Sequence, residues 1–167
     1  MIKHLKNPRT ELYCRFKKEI LEEDFPCYFK NESSGDSHPE FFSHAFIIRP
    51  HDDGKRFPVN VSNFTDYAYQ LVKEIFEYNN IKLNCIFRMN LNLVYPQSGK
   101  QTTPIHVDHE FTHQNFLLYL TSAGGRVVVG NESYEPKEDD VITFGGLPHY
   151  IELPKKSIRI ALVVTYF

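Results

Sequence analysis

The chain has no tryptophan and only three cysteines, Cys14, Cys27 and Cys85, which are odd in number, widely separated and without any C-x-x-C pair. That pattern argues against a disulfide framework or a thiolate zinc site and leads us to expect reduced thiols in a cytoplasmic protein. No apolar run approaches the roughly 20 residues a membrane span requires, and Met1-Ile2-Lys3-His4 opens no secretory leader. An excess of one charge is missing as well. A net charge of -2 and a pI near 6.4 leave no basic footprint for a nucleic-acid backbone or an anionic membrane, so neither is expected as a partner. The sequence has no P-loop, no Rossmann glycine pattern, no nucleophile elbow, no internal repeat and no low-complexity linker.

What remains is a chain of 167 residues, enough for one domain with a real core. Residues 1–80 read as a helical and irregular N-terminal layer. Thr10 is placed to cap a helix over 11–23, with Leu12, Phe16, Ile20 and Leu21 at helical spacing and Phe25-Pro26 ending it. Residues 31–39 are a loop, 41–48 a strand, and 50–54 a stop. A second helix over 63–79 carries Tyr67, Leu71, Val72, Ile75 and Phe76 on one stripe that should pack on a sheet. From residue 81 or so the period changes to two, with strands expected at 84–95, 105–108, 115–121, 126–129, 141–144 and 157–167. The expected class is α+β, mainly β, a sandwich or barrel with the N-terminal helices packed on one sheet.

Within this frame His106-Val107-Asp108 is answered by His149 and then by Arg159. In a strand, residues i and i+2 point to the same side, so His106 and Asp108 would face inward together. Two imidazoles and one carboxylate occupy one face of an octahedral metal and leave three positions open, a set suited to non-heme Fe(II). Arg159, Ala161, Val163 and Thr165 share one face of the last strand, and a cation among apolar neighbours calls for an anion gripped by two parallel N–H donors.

The order Tyr95-Pro96, His106-x-Asp108, Leu118-Tyr119-Leu120, Gly124-Gly125, Pro136, Asp140-x-Ile142-x-Phe144, His149 and Arg159 resembles the double-stranded β-helix (jelly roll, cupin-like) of Fe(II)- and 2-oxoglutarate-dependent oxygenases. The ending from Arg159 to Phe167 is similar to that of prolyl-hydroxylase-like members. The whole chain, with Phe25-Pro26 and Phe42-Ser43-His44, also resembles short stand-alone oxygenases of marine bacteriophages, for which the setting would be the host cytoplasm. The resemblance implies a single oxygenase domain over 1–167, with its β-helix core over 81–167. It implies iron held by His106, Asp108 and His149, and 2-oxoglutarate chelating that iron with its far carboxylate on Arg159, assisted by Tyr95 and Tyr119. Turnover with O2 would release succinate and CO2 and hydroxylate a C–H bond of a protein or peptide side chain, prolyl first among them, or of a small molecule.

Several readings stay open at this stage. Tyr95 and Tyr119 are cosubstrate contacts or core aromatics bonded to backbone. Arg88, Asn90 and Asn92 alternate along one strand and read first as a solvated face, with substrate binding as the alternative. His109 is read as a surface or supporting group, and His113 as turn packing or a substrate contact. Two other functions compete: a cupin-type metal dioxygenase without 2-oxoglutarate, for which a buried Arg159 has no use, and a non-catalytic jelly-roll binding module. The loops that would select substrate, at 31–39, 49–59 and 96–104, carry no readable code.

Overall fold

The structure is a computed structural model, in which residues 1–31, 39–50, 57–99 and 101–167 are described. Parts of all three expected selecting loops lie outside these residues. The elements are β1 (Lys3–Leu5), α1 (Glu11–Ile20), β2 (Tyr28–Lys30), β3 (Phe41–Ile48), β4 (Val59–Asn60), α2 (Thr65–Tyr78), β5 (Ile86–Val94), β6 (Gln114–Tyr119), β7 (Val127–Val129), β8 (Glu132–Tyr134), β9 (Val141–Gly145), β10 (His149–Ile151) and β11 (Arg159–Tyr166). A large antiparallel sheet has the order β1-β9-β6-β11-β5-β3-β2, with β4 on β3, and a small antiparallel sheet has the order β10-β7-β8. This is the expected double-stranded β-helix, mainly β with two helices. No described helix is long and apolar enough to cross a membrane.

Both faces of the large sheet are covered, and that is what creates the site. On one face α1 and α2 pack through Tyr13, Phe16, Leu71 and Phe76 against Met89, Leu91, Phe116, Leu118, Leu162 and Val164. Each such fully buried side chain contributes about 1.5–3 kcal/mol relative to exposure. On the other face Leu117, Tyr119 and Ala161 meet Val127 and Val129 of the small sheet. A cavity of about 410 Å³ opens between the sheets.

Local signals account for the helix limits. Thr10 caps α1 by accepting from the Tyr13 amide at 3.2 Å. The helix stops at Ile20, short of the expected residue 23, and its buried stripe is Tyr13, Phe16 and Ile20, leaving Leu21 43% exposed. The i, i+3, i+7 row fits the narrow contact with the sheet better than the row through Leu21. In α2 the buried residues include Ala68, Leu71, Val72, Ile75 and Phe76, with Tyr67 at the edge of the stripe.

The strand expected at 105–108 does not form. Two isolated bridges, Thr102↔Glu152 and His106↔His149, hold residues 102–106 against β10, and Asp108 lies in a bend beyond them. β1, β2, β4, β8 and β10 are short strands that the alternation did not reveal. Two or three residues are too few for a period to register.

Candidate active site

The three residues expected to bind metal converge although no strand carries the first two. The ligand atoms of His106, Asp108 and His149 lie within 4.8 Å of one another. The bridge His106↔His149 fixes the two rings, whose centroids are 4.5 Å apart, with amide-to-carbonyl bonds of 3.0 and 2.9 Å in both directions. Each ring is oriented by its own backbone. His106 Nδ1 lies 3.0 Å from Pro104 O and His149 Nδ1 lies 2.9 Å from Leu147 O. A carbonyl only accepts, so Nδ1 carries the proton and Nε2 presents its lone pair, the tautomer a metal needs. Burial pushes His149 below its ordinary pKa against the pull of Asp108, which keeps the ring neutral.

Asp108 is 7% exposed. Burial alone would raise its pKa, but the Arg88 guanidinium above all holds it well below the usual carboxylate range. Arg88 Nη2 donates to Oδ1 at 2.6 Å, while Oδ2 faces His149 Nε2 at 3.5 Å. One oxygen is therefore engaged by the arginine and the other is turned toward the histidines. Arg49 Nη1 donates to the Asp108 carbonyl at 3.1 Å and steadies the bend.

Arg159 starts β11 and lines the same cavity at 4% exposure. Its Nη1 donates to Gly125 O at 3.1 Å and to Glu152 O at 3.4 Å. Gly125 is obligatory here, because its φ is +81° and a Cβ would meet Glu152 O at 2.4 Å. Among the described residues no acidic side chain pairs with Arg159. Beside it Tyr119, 1% exposed, has a hydroxyl with no hydrogen-bond partner. Burial raises the Tyr119 pKa against the pull of Arg159, so the phenol remains a donor. A buried cation and an unused donor in one wall form a seat for an anion.

Two expectations change. Tyr95 is not brought to the cavity: its hydroxyl donates to Glu40 Oε2 at 3.2 Å and its ring leans on Phe42, on the side of the sheet away from His106, Asp108 and His149. Arg88, Asn90 and Asn92, read first as a solvated face, instead line the cavity. His109 takes a supporting place, with Nε2 2.8 Å from Thr165 Oγ1. His113 is 2% exposed and packs its ring on Gly146, a turn-packing role. Asn115 was missed altogether, although its spacing from Leu117 and Tyr119 already put it on their face of β6; it is 1% exposed and lines the cavity.

No protein-family model and no curated protein matches the sequence. Solved structures do resemble it in fold. An oxidoreductase of the 2OG-Fe(II) oxygenase family from Burkholderia pseudomallei superposes with a TM-score of 0.70 at 13% identity, covering 92% of this chain and 77% of its own. A prolyl hydroxylase from Trichoplax adhaerens, solved with a peptide fragment of the hypoxia inducible factor oxygen degradation domain, gives 0.60 at 15% identity over 99% and 83%. A prolyl-4-hydroxylase from Pseudomonas putida gives 0.54 at 13% identity over 99% and 91%. At these identities the likeness is one of fold, and the chemistry rests on the residues of the cavity.

Proposed function

We propose that this chain is an Fe(II)- and 2-oxoglutarate-dependent dioxygenase, working as one unit over its whole length and hydroxylating a C–H bond of its substrate. The observation that carries the reading is the pairing, in one cavity, of the His106–Asp108–His149 cluster with the acid-free Arg159 and the unbonded Tyr119 hydroxyl. Two neutral imidazoles and one ionised carboxylate fit a divalent iron and leave positions for a chelating cosubstrate. Arg159 and Tyr119 fit the far carboxylate of 2-oxoglutarate, which would supply both the charge and the acceptor this wall lacks.

The balance of the reaction is substrate C–H, 2-oxoglutarate and O2 to substrate C–OH, succinate and CO2. Iron with 2-oxoglutarate supplies the O2 activation that no side chain offers. The protein's own part is positional. Pro104 and Leu147 carbonyls hold the two imidazoles in register, and Arg88 takes one Asp108 oxygen and leaves the other, turned toward His149, for iron to bind. Leu117, Val127, Ile151 and Leu153 give the cavity an apolar wall. The prolyl-hydroxylase-like ending makes a peptide side chain the first substrate suggested by sequence, with a free small molecule the second. We assign the enzyme to the cytoplasm, in keeping with three free cysteines.

The test is succinate formation from 2-oxoglutarate by anaerobically iron-loaded protein after O2 is admitted. Wild type should turn over, Asp108→Ala should not, and Arg159→Ala should mainly raise the 2-oxoglutarate requirement. Stoichiometric iron without any spectral response to 2-oxoglutarate would favour a cupin-type dioxygenase. Absence of stoichiometric iron would favour a binding module.

A further inference from the structure

The cavity-facing side of the large sheet is built in rungs, because directly paired residues of neighbouring strands point the same way. Phe144, Asn115, Thr165 and Arg88 form one rung across β9, β6, β11 and β5, and Leu117, Val163 and Asn90 belong to the next. The first rung is the one beside the metal cluster: Arg88 holds Asp108, and the Phe144 ring meets the His149 ring edge-on at 5.2 Å. Thr165 is satisfied by His109.

The other polar groups of these rungs are not satisfied. Nδ2 and Oδ1 of Asn115, Oδ1 of Asn90 and Nε of Arg88 are buried without a hydrogen-bond partner. Buried polar atoms are paired as a rule, so four exceptions in one wall of one cavity point to a ligand that supplies the partners. A prolyl ring would leave all of them bare. Two are donors and two are acceptors. Among the described lining residues Lys30, Arg88 and Arg159 stand against the single carboxylate of Asp108, a field that favours an anionic group.

We propose that the substrate is a small molecule carrying a carboxylate beside an N–H donor, the head group of a free α-amino acid. Arg88 Nε and Asn115 Nδ2 donate to its carboxylate, and Asn90 Oδ1 and Asn115 Oδ1 accept from its ammonium group. The inference rests on the oxygenase reading and narrows its substrate. Arg88 thereby serves twice, steadying the metal carboxylate through Nη2 and meeting substrate through Nε. Asn90 and Asn115 are specificity-determining residues.

The experiment starts with binding of 2-oxoglutarate to the iron-loaded protein, read from the iron absorption spectrum. Failure there sinks the oxygenase reading itself. With binding established, the common free L-amino acids, their N-acetyl amides and a prolyl peptide are compared as stimulators of succinate release. At least one free amino acid should raise the rate about tenfold, with a hydroxylated product in step with succinate, and its N-acetyl amide, lacking both charges, should fall short by about tenfold or more. Stimulation by the peptide or the amides alone, or by nothing in the panel, overturns the proposal.

Variants supply the second readout. Asn90→Leu and Asn115→Leu should raise the KM for that amino acid about tenfold with a smaller change in kcat. Asn115→Leu should also raise the Tm of the ligand-free protein by about 2 °C or more, because an unpaired buried amide is replaced by an apolar group of similar shape. A lower Tm with an unchanged KM would make the amide structural. Weakened 2-oxoglutarate binding in place of a raised KM would assign it to the cosubstrate. Either result overturns its role here.

Discussion

Substituting Gly146 by alanine should damage the protein through a single contact. A Cβ at this position would lie 2.4 Å from Cε1, 2.7 Å from Nδ1 and 2.8 Å from Nε2 of His113. The φ of Gly146 is not in the left-handed region, so the obstacle is space and not backbone conformation. His113 cannot step aside. It is 2% exposed, its Nδ1 is 2.8 Å from Phe111 O, its carbonyl accepts from the Gly146 amide at 2.9 Å, and its ring meets that of His109 edge-on at 4.8 Å. Overpacking of this kind costs about 1–3 kcal/mol. For a chain of this size each kcal/mol lowers Tm by about 2–4 °C.

The reasoning is tested by a double-mutant cycle in urea. His113→Ala empties the space, so Gly146→Ala in that background should be neutral or stabilising by about 0.4–1 kcal/mol through the unfolded chain. The coupling between the two sites should then exceed about 1 kcal/mol. Additivity within about 0.5 kcal/mol would refute the steric account. The single variant should also bind a divalent metal more weakly, because the next residue, Leu147, provides the carbonyl that holds His149 Nδ1. Loss of metal affinity without loss of stability would likewise be at odds with the argument.

Two further outcomes concern Tyr119 in the cavity wall and Asp139 at the foot of α1. Tyr119→Phe removes a buried hydroxyl that has no partner, so the ligand-free protein should gain about 1 kcal/mol while 2-oxoglutarate affinity falls about tenfold or more. Thermal shifts with and without 2-oxoglutarate measure both, and a destabilised protein of unchanged affinity would assign the phenol to the core. Asp139 ties α1 to the turn before β9, accepting from Tyr13 Oη and from Lys17 Nζ at 2.6 Å, with Arg9 Nη2 at 3.3 Å. Burial would raise its pKa, but the bonds from Lys17 and Tyr13 and the charges of Lys17 and Arg9 hold it below the usual value. Its contribution is therefore present above about pH 4 and fades as pH falls toward the folded value. The pKa of Lys17 is raised, so its share is lost only in strong alkali. Asp139→Asn, which tolerates the residue's φ of +68°, should cost about 1–2 kcal/mol at pH 7 and progressively less from pH 5 to 2. A pH-independent cost in denaturation experiments would contradict the tether.

The legible part of the site was the part fixed by chemistry. His106, Asp108, His149 and Arg159 could be singled out because they stand in the order of the oxygenases the chain resembles, and they do line one cavity, yet the reason given for the first two was only half right. They do not share a face of a strand. A lone bridge to β10 places His106, and a bend held by Arg49 and Arg88 places Asp108. Those partners are distant in the chain, and no local period announces them. The phage-like features before residue 80 rest on sequence alone.

β5 shows where parity stops being enough. Tyr95 does follow the face of Leu91 and Leu93, as alternation requires, but that face lies under the helices. The error was to equate apolar with the site. A sheet buried on both sides has one face against helices, where side chains must be apolar, and one against a cavity, where polar groups wait for a ligand. The register decides which is which. Arg159 lies directly opposite Val94, and Ala161 opposite Asn92, so if Arg159 faces the cavity then Val94, Asn92, Asn90 and Arg88 must face it too, and Tyr95 must not. One known inward residue on β11 is thus enough to orient the whole of β5. The polar row of β5 is then the side of the strand to mutate when the substrate is sought.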